Sequence, residues 1–97
     1  MANVVIYYQQ EENKTIEETI DHINNLIKTA ELHHNIKRVF IDNLDSRNEF
    51  YELLNSNLEN IDIILLEGRL TDEFDKKMLL GVARTGNIRI GSMTQEL

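Results

Sequence analysis

Three short segments of the chain carry the charged side chains that could do chemistry. They are Gln9–Lys14, Asp42–Arg47 and Glu67–Asp72. The second and third combine acids with an arginine, Arg47 in one and Arg69 in the other. A guanidinium group matches the geometry of a phosphate, and carboxylates bind cations or transfer protons. Arg47 and Arg69 are therefore candidates for an anion-binding site with acids beside it.

The acids of these segments allow further interpretations. Asp42 and Glu67 each follow an apolar run, so together they form a candidate acidic site. Glu11 and Glu12 are neighbours that could bind a metal or act as an acid/base pair. The alternative is a set of solvated loop acids and exposed salt bridges, each contributing only about 0–1 kcal/mol. Composition alone favours this second interpretation.

Neither a metal site nor a nucleotide-binding turn is predicted. His33 and His34 are adjacent near the end of a helix, where neighbouring side chains point about 100° apart and seldom share one ion. His22 lies beside an apolar helical stripe and is interpreted as a boundary residue. The segment Gln9–Lys14 contains no glycine, whereas phosphate-binding turns need close approach of the backbone. We therefore expect no metal and no cofactor.

The elements that position these segments can be read from hydrophobic patterning. Four short apolar runs rich in branched residues predict strands, and three of them run nearly without interruption, as in parallel sheets covered on both faces. The predicted strands are Val4–Tyr8, Ile36–Ile41, Ile61–Leu66 and Ile88–Ile90.

Three amphipathic patterns between these runs predict helices. Thr15 and Glu18 predict a capping box at the start of the first helix, and Ser46 with Glu49 predicts another at the second. Thr71 is the predicted cap of the third helix, which ends at Gly86-Asn87. The predicted inward residues are Ile16, Ile20, Ile23, Leu26, Ile27 and Ala30, then Phe50, Leu53, Leu54 and Leu58, then Phe74, Met78, Leu79 and Val82.

The resulting β-α-β-α-β-α-β order predicts an α/β fold. We expect one small three-layer α/β/α domain over residues 1–97, with a mainly parallel four-stranded sheet. In open parallel sheets, ligands bind beyond the carboxyl ends of the strands. The three charged segments fall at those ends, so a site of this protein is expected there.

Composition limits the function classes. The chain has 97 residues, with 17 acidic against 10 basic groups and a net charge of -7, which opposes docking on nucleic acid. Hydrophobic residues make up 41%, which is enough for a packed core. The absence of cysteine excludes disulfides and a cysteine nucleophile and fits a cytoplasmic location. The first residues show neither a signal peptide nor a membrane span.

Several short motifs, in this order of elements, resemble one known family. They are Val39-Phe40-Ile41-Asp42, Ser46-Arg47-Asn48-Glu49-Phe50 with Leu53-Leu54, Ile61-Asp62-Ile63-Ile64, Arg69-Leu70-Thr71 and Asn87-Ile88-Arg89-Ile90-Gly91-Ser92. These motifs resemble segments of the serine recombinase catalytic domain. In the same order, the segments are its second strand, the start of a helix, its third strand, the middle of an Asp-Arg-Leu-Ser-Arg motif and its fourth strand. That domain belongs to the resolvase and invertase group.

The departures from the family fall on its catalytic positions. Gln9 stands where the family has an arginine, Glu11 where it has the nucleophilic serine, and Asp72 where it has a second arginine. Arg47 and Arg69 remain at positions similar to its active site. Phosphoryl transfer needs a nucleophile and positive groups around the phosphate. The resemblance therefore implies a catalytically inactive relative.

The expected function is a protein-interaction or regulatory module in a phage, plasmid or mobile-element setting. We expect a protein partner or self-association. The chain ends at Leu97, before the dimer helix and DNA-binding domain of the family would follow. We therefore expect neither a separate DNA-binding domain nor strong direct binding of nucleic acid.

Two alternatives stay open. Arg47 and Arg69 could bind a small anion or a nucleotide, or Glu11 and Glu67 could carry chemistry. The run Asp62–Glu67 is similar to the strand that ends at the phosphorylated aspartate of receiver domains, with glutamate in its place. The second alternative is therefore a receiver-like signalling domain.

Overall fold

Strands and helices alternate along the whole described part of the chain. The computed structural model describes residues 2–68 and 73–92. Its elements are β1 (Ala2–Gln9), α1 (Ile16–Glu31), β2 (His34–Asp42), α2 (Asn48–Asn55), β3 (Ile63–Gly68), α3 (Glu73–Gly86) and β4 (Arg89–Gly91). The predicted order is confirmed, with β2 longer than expected and β3 beginning at Ile63 rather than Ile61.

The four strands form one sheet in the order β2-β1-β3-β4, and all three neighbouring pairs are parallel. The chain leaves β1 towards β2 on one side, crosses back to β3 on the other, and continues outward to β4. The strand order therefore reverses between β1 and β3, which is the position where open α/β sheets place ligands.

Alternate residues of β1 pack against different helices. Val5 and Tyr7 face α2 and α3, where they contact a cluster containing Phe50 and Leu79. The intervening residues, among them Tyr8, face α1. With α1 on one face of the sheet and α2 and α3 on the other, the predicted three-layer α/β/α architecture is confirmed.

The start of α1 confirms the predicted capping box. The Thr15 hydroxyl accepts a hydrogen bond from the Glu18 amide, and the Glu18 carboxylate accepts one from the Thr15 amide, both at 3.1 Å. The hydrogen bonds from the Thr15 amide and side chain lower the pKa of Glu18. This terminus is thus fixed by residues three positions apart.

The predicted inward stripe of α1 is wrong at its first two positions, because Ile16 is 69% and Ile20 is 52% exposed. Burial begins instead at Thr19, whose hydroxyl bonds to the Thr15 carbonyl at 2.9 Å. Ile20 lies about 100° around the helix from Thr19, and Ile16 precedes the first buried turn. The rest of the stripe packs inward as predicted, with Ile27 only half-buried.

The predicted Ser46 capping box of α2 does not form. Arg47 occupies the N-cap position, and its side chain does not cap the helix amides. The Ser46 hydroxyl accepts from the Asn48 amide at 3.2 Å, and the amides of Glu49 and Phe50 are bonded by Asp42 instead. Leu58 lies beyond the end of α2 but still packs against the core.

The inward side of α3 also differs from prediction at its first turn. Phe74 is 67% exposed, and Asp75 is buried in its place. The reason is the ion pair that Asp75 forms with Arg47, which directs position 75 towards the sheet layer. Asn87 adopts a left-handed conformation after α3, with φ 56°, in agreement with the predicted end. The predicted cap Thr71 lies outside the described residues.

Within residues 2–68 and 73–92, no helix is long and apolar enough to cross a lipid bilayer.

Candidate functional site at the carboxyl edge of the sheet

The ends of the three longest strands bring the predicted site residues to one edge. Gln9 at the end of β1 pairs with Asp42 of β2 on one side and with Gly68 of β3 on the other. Asp42 and Glu67 are both buried. Asp42 faces the α2 and α3 layer, where it meets Tyr7. Glu67 lies on the opposite face, because it follows Leu65 of the α1-facing cluster by two residues.

This placement separates the two acids of the candidate acidic site. The central strand β1 runs between them, and their side chains lie on different faces of the sheet. Each acid therefore has its own surroundings, and the two do not converge on one ligand position.

Asp42 is the centre of a buried hydrogen-bond network. Its Oδ2 accepts from the Tyr7 hydroxyl at 2.7 Å and from the Phe50 amide at 3.0 Å. Its Oδ1 accepts from the Glu49 amide at 2.9 Å and from the Ser46 hydroxyl at 3.3 Å. A carboxylate has about four acceptor positions, so these donors use its capacity. The network caps α2 from the end of a neighbouring strand.

The Tyr7 hydroxyl is adapted to donate rather than to ionise. Burial is the largest cause that raises the pKa of Tyr7 far above its ordinary value, followed by the hydrogen bond to Asp42 and the negative charge of that carboxylate. A neutral phenol at physiological pH is a hydrogen-bond donor and not a nucleophile. Tyr7 thus serves the internal network.

Arg47 is bound to an acid of a different helix. Its Nε lies 2.9 Å from Oδ2 of Asp75, and its Nη1 donates to the Ser46 carbonyl at 3.3 Å. The Asp75 side chain is only 4% exposed, while that of Arg47 is 29% exposed. An anion at this position would compete with a buried carboxylate for the guanidinium group. The pair also joins the start of α2 to the start of α3.

A second group of polar side chains lies on the α1 side of the same edge. The Ser92 hydroxyl donates to Oε1 of Glu67 at 3.1 Å. The Tyr8 hydroxyl is buried and has no hydrogen-bond partner within the described part of the chain. Burial and then the charges of Glu11 and Glu67 raise the pKa of Tyr8.

The remaining predicted residues within the described part of the chain have surroundings of different kinds. Glu11 forms an ion pair with Lys14 at 3.8 Å, and Glu12 is exposed. The rings of His33 and His34 lie 6.4 Å apart. His22 is half-buried, with its ring 5.6 Å from that of Tyr8.

Two of the predicted residues, Arg69 and Asp72, lie outside the described residues. The predicted pairing of Arg47 with Arg69 therefore stays a prediction. In the part of the chain that the structure describes, no group of three or more histidine, aspartate and glutamate side chains could hold a metal ion.

Sequence reasoning missed the partners that bind the strand-end residues. Tyr7, Tyr8 and Ser92 were not identified as site residues, although two tyrosines at the end of a buried strand each bring a polar hydroxyl to that edge. Asp75 was also missed, yet it precedes the inward Leu79 by four positions. An acid in line with a buried helical stripe indicates a buried partner.

Comparisons with known proteins give no relative for this chain. No family model, no curated protein and no solved structure matches it. The resemblance to serine recombinases therefore remains a hypothesis that depends on the sequence motifs alone.

Proposed function

We propose that this chain is a catalytically inactive, serine-recombinase-like domain that acts by binding another protein. The single observation that supports it most is the use of the strand-end polar groups in internal bonds. Asp42 caps α2, and Arg47 is paired with the buried Asp75. Groups held in this way position helices, and among the described residues Asp42 and Arg47 are thereby committed to internal contacts.

The residues at the resembled catalytic positions support the same proposal. Glu11, in place of the nucleophilic serine, is paired with Lys14 and carries a negative charge that would repel a phosphate. Gln9, in place of an arginine, is a buried neutral residue of β1. Neither side chain can attack a phosphodiester or stabilise charge on it as the family residues do.

An exposed apolar surface supports the binding part of the proposal. Ile16, Ile20 and Ile41 are exposed on the α1 side of the sheet, and we call these three side chains the α1-side patch. Ile41 belongs to it because it pairs with Tyr8, which packs under α1. Ile41 is 44% exposed on the strand, and the two α1 isoleucines are more exposed still. Single exposed apolar residues are common, but several on one side of a sheet are typical of an interaction surface.

Affinity capture with defined variants tests this proposal. The tagged wild-type chain is expected to retain one protein in about equal amount from its native extract. The double variant Ile16→Glu, Ile20→Glu should lose it, because two charges then replace the apolar surface.

The matched control is Asn24→Glu, Asn25→Glu, which adds the same charge at exposed positions of the same helix. It should retain the partner. A wild-type chain that captures nothing in stoichiometric amount contradicts the proposal, and so does equal loss in both variants.

A further inference from the structure

We propose that this chain binds a small phosphate monoester in a pocket between β2 and the connection from α2 to β3, with Lys37 and Arg38 as its cationic ligands. The pocket lies towards the amino ends of the strands, away from the carboxyl edge described above. It shares no residue with the α1-side patch. The proposal therefore goes beyond the proposed function and can fail without it.

The pocket is a cavity of about 430 Å³. One wall consists of Lys37 and Arg38 in β2, and the other consists of residues 56–61, between α2 and β3. Two of its apolar residues, Leu58 and Ile61, belong to the core on the α2 side of the sheet, so the cavity opens on that side. Cavities of roughly 300–1,000 Å³ hold small organic ligands.

A β-bulge directs two neighbouring cations to this cavity. Val4 pairs with Ile36 and Val5 with Arg38, so Lys37 is an extra residue in β2. In a regular strand, consecutive side chains point to opposite faces of the sheet. Here residues 37 and 38 line the same cavity. Bulges re-aim side chains in this way and are frequent next to functional sites.

Both cations can accept an anionic ligand. Within residues 2–68 and 73–92, neither Lys37 nor Arg38 forms an ion pair, although the net charge of the chain is -7. The Arg38 guanidinium group lies 4.4 Å from the centre of the Phe40 ring. This cation-π contact positions the group without using its N–H donors.

The opposite wall adds a neutral donor and is fixed by bonds to β1. The Asn57 Oδ1 accepts from the Glu59 amide at 2.9 Å, and its NH₂ group has no partner within the described part of the chain. The Asn60 carbonyl accepts from Nδ2 of Asn3 at 2.8 Å, and the Asp62 amide donates to the Asn3 carbonyl at 2.8 Å. A wall that is already ordered lowers the entropic cost of binding.

This set of donors favours a phosphate monoester over a carboxylate. A phosphate monoester carries close to two negative charges at neutral pH and three strong acceptor oxygens. Its charge matches the two cations, of which arginine binds as a fork and lysine as a point charge. A carboxylate would compensate only one of them. Leu58 and Ile61 provide apolar surface for the organic part of the ligand.

The acids near the pocket set a limit to its affinity. Glu59 lines the same cavity and would repel a phosphate. Asp62 lies close by, where its Oδ2 accepts from the Asn3 amide at 2.7 Å. Removing the charge of Glu59 should therefore tighten binding, whereas removing either cation should weaken it.

Nuclear magnetic resonance titration of the isotope-labelled whole chain with phenyl phosphate tests the site. We expect saturable shifts at residues 37, 38 and 56–61. Arg38→Gln should weaken binding at least about tenfold, because a charged hydrogen-bond donor is lost, and Lys37→Gln should weaken it in the same direction. Glu59→Gln should tighten binding about twofold to fivefold. The same spectra report whether each variant is folded.

The matched control is Arg89→Gln, which removes the same charge at an exposed position of β4, on the other edge of the sheet. Its affinity should equal that of the wild type. The proposal is overturned by the absence of saturable shifts, by shifts centred on Arg47, by equal weakening in Arg38→Gln and Arg89→Gln, or by benzoate binding as tightly as phenyl phosphate. A chain that binds no phosphate but still captures its partner protein leaves the proposed function standing.

Discussion

Asp42 shows how a residue that looks catalytic can be structural. A carboxylate at the carboxyl end of a parallel strand is where an α/β enzyme would place one. Here its oxygens accept from Tyr7, Ser46 and two amides of α2. The buried charge is compensated by these donors, since a buried carboxylate is costly without them.

Replacing Asp42 should therefore cost stability. Asp42→Asn keeps the shape but turns an NH₂ group towards donors, so we expect a loss of about 2–3 kcal/mol in the free energy of unfolding. Asp45→Asn removes the same charge at an exposed position three residues away and should change it by less than about 0.5 kcal/mol. Urea denaturation compares the two. Equal effects would mean that the network contributes nothing.

The tyrosine network predicts a stability loss at alkaline pH. The pKa of Tyr7 is higher in the folded chain than its ordinary value of about 10, so the folded state holds the proton more tightly. This stabilisation is fully present below about pH 10 and is lost as pH rises above that value.

The pH dependence of unfolding provides the measurement. Tyr7→Phe should cost about 1–2 kcal/mol at neutral pH, because one hydrogen bond to Asp42 disappears. Above pH 10 its stability should fall less steeply than that of the wild type, while Tyr8 still contributes a decline of the same sign. Identical slopes in both proteins would contradict the assigned cause.

At the scale of elements, α1 and α2 differ in how far along the sequence their capping residue lies from the helix start. The cap of α1 is local, because Thr15 and Glu18 bond each other's amides. The cap of α2 comes from Asp42 in another element, six residues before the helix begins. A sequence pattern finds the first kind of cap and assigns the second to Ser46, which looks equally suitable.

The α1 cap yields a simple prediction. Thr15→Ala removes the acceptor for the Glu18 amide and should lower the free energy of unfolding by about 1 kcal/mol. Thr29→Ala, at an exposed interior position of the same helix, should be neutral or slightly stabilising because alanine favours helix. Thermal unfolding of both variants distinguishes a capping effect from a general effect of losing threonine.

The same distinction explains how much of the fold could be predicted. Continuous apolar runs and helical spacing predicted every element and the parallel sheet. Periodicity could not show that Ile16 and Ile20 stay exposed, because this depends on where the sheet lies under α1. Nor could it show that Asp75 turns inward, because its partner Arg47 lies 28 residues away.

The candidate site was less predictable than the fold for a related reason. The sequence analysis assigned Asp42, Arg47 and Glu67 to segments at the carboxyl ends of strands, but hydrophobic patterning does not show which face each side chain takes. The structure separates Asp42 from Glu67 across β1 and pairs Arg47 with Asp75. Tertiary contacts of this kind decide whether polar groups act on a ligand or on one another.

At the scale of the whole molecule, the proposed function predicts a chain that does not carry out strand transfer. We expect no covalent adduct when the chain is incubated with supercoiled DNA. Glu11→Ser should not produce one either, because Gln9 supplies no positive charge and Arg47 stays paired with Asp75. Denaturing gel electrophoresis detects such an adduct, and its appearance in either protein would show that the site can still act on phosphates.

The central claim is that the chain acts through its surface, and affinity capture measures this most directly. The wild type and the Asn24→Glu, Asn25→Glu control should each retain a protein in about equal amount, while the folded Ile16→Glu, Ile20→Glu variant retains none. A wild-type chain that remains alone at high concentration and in extract, by sedimentation and by capture alike, would contradict it.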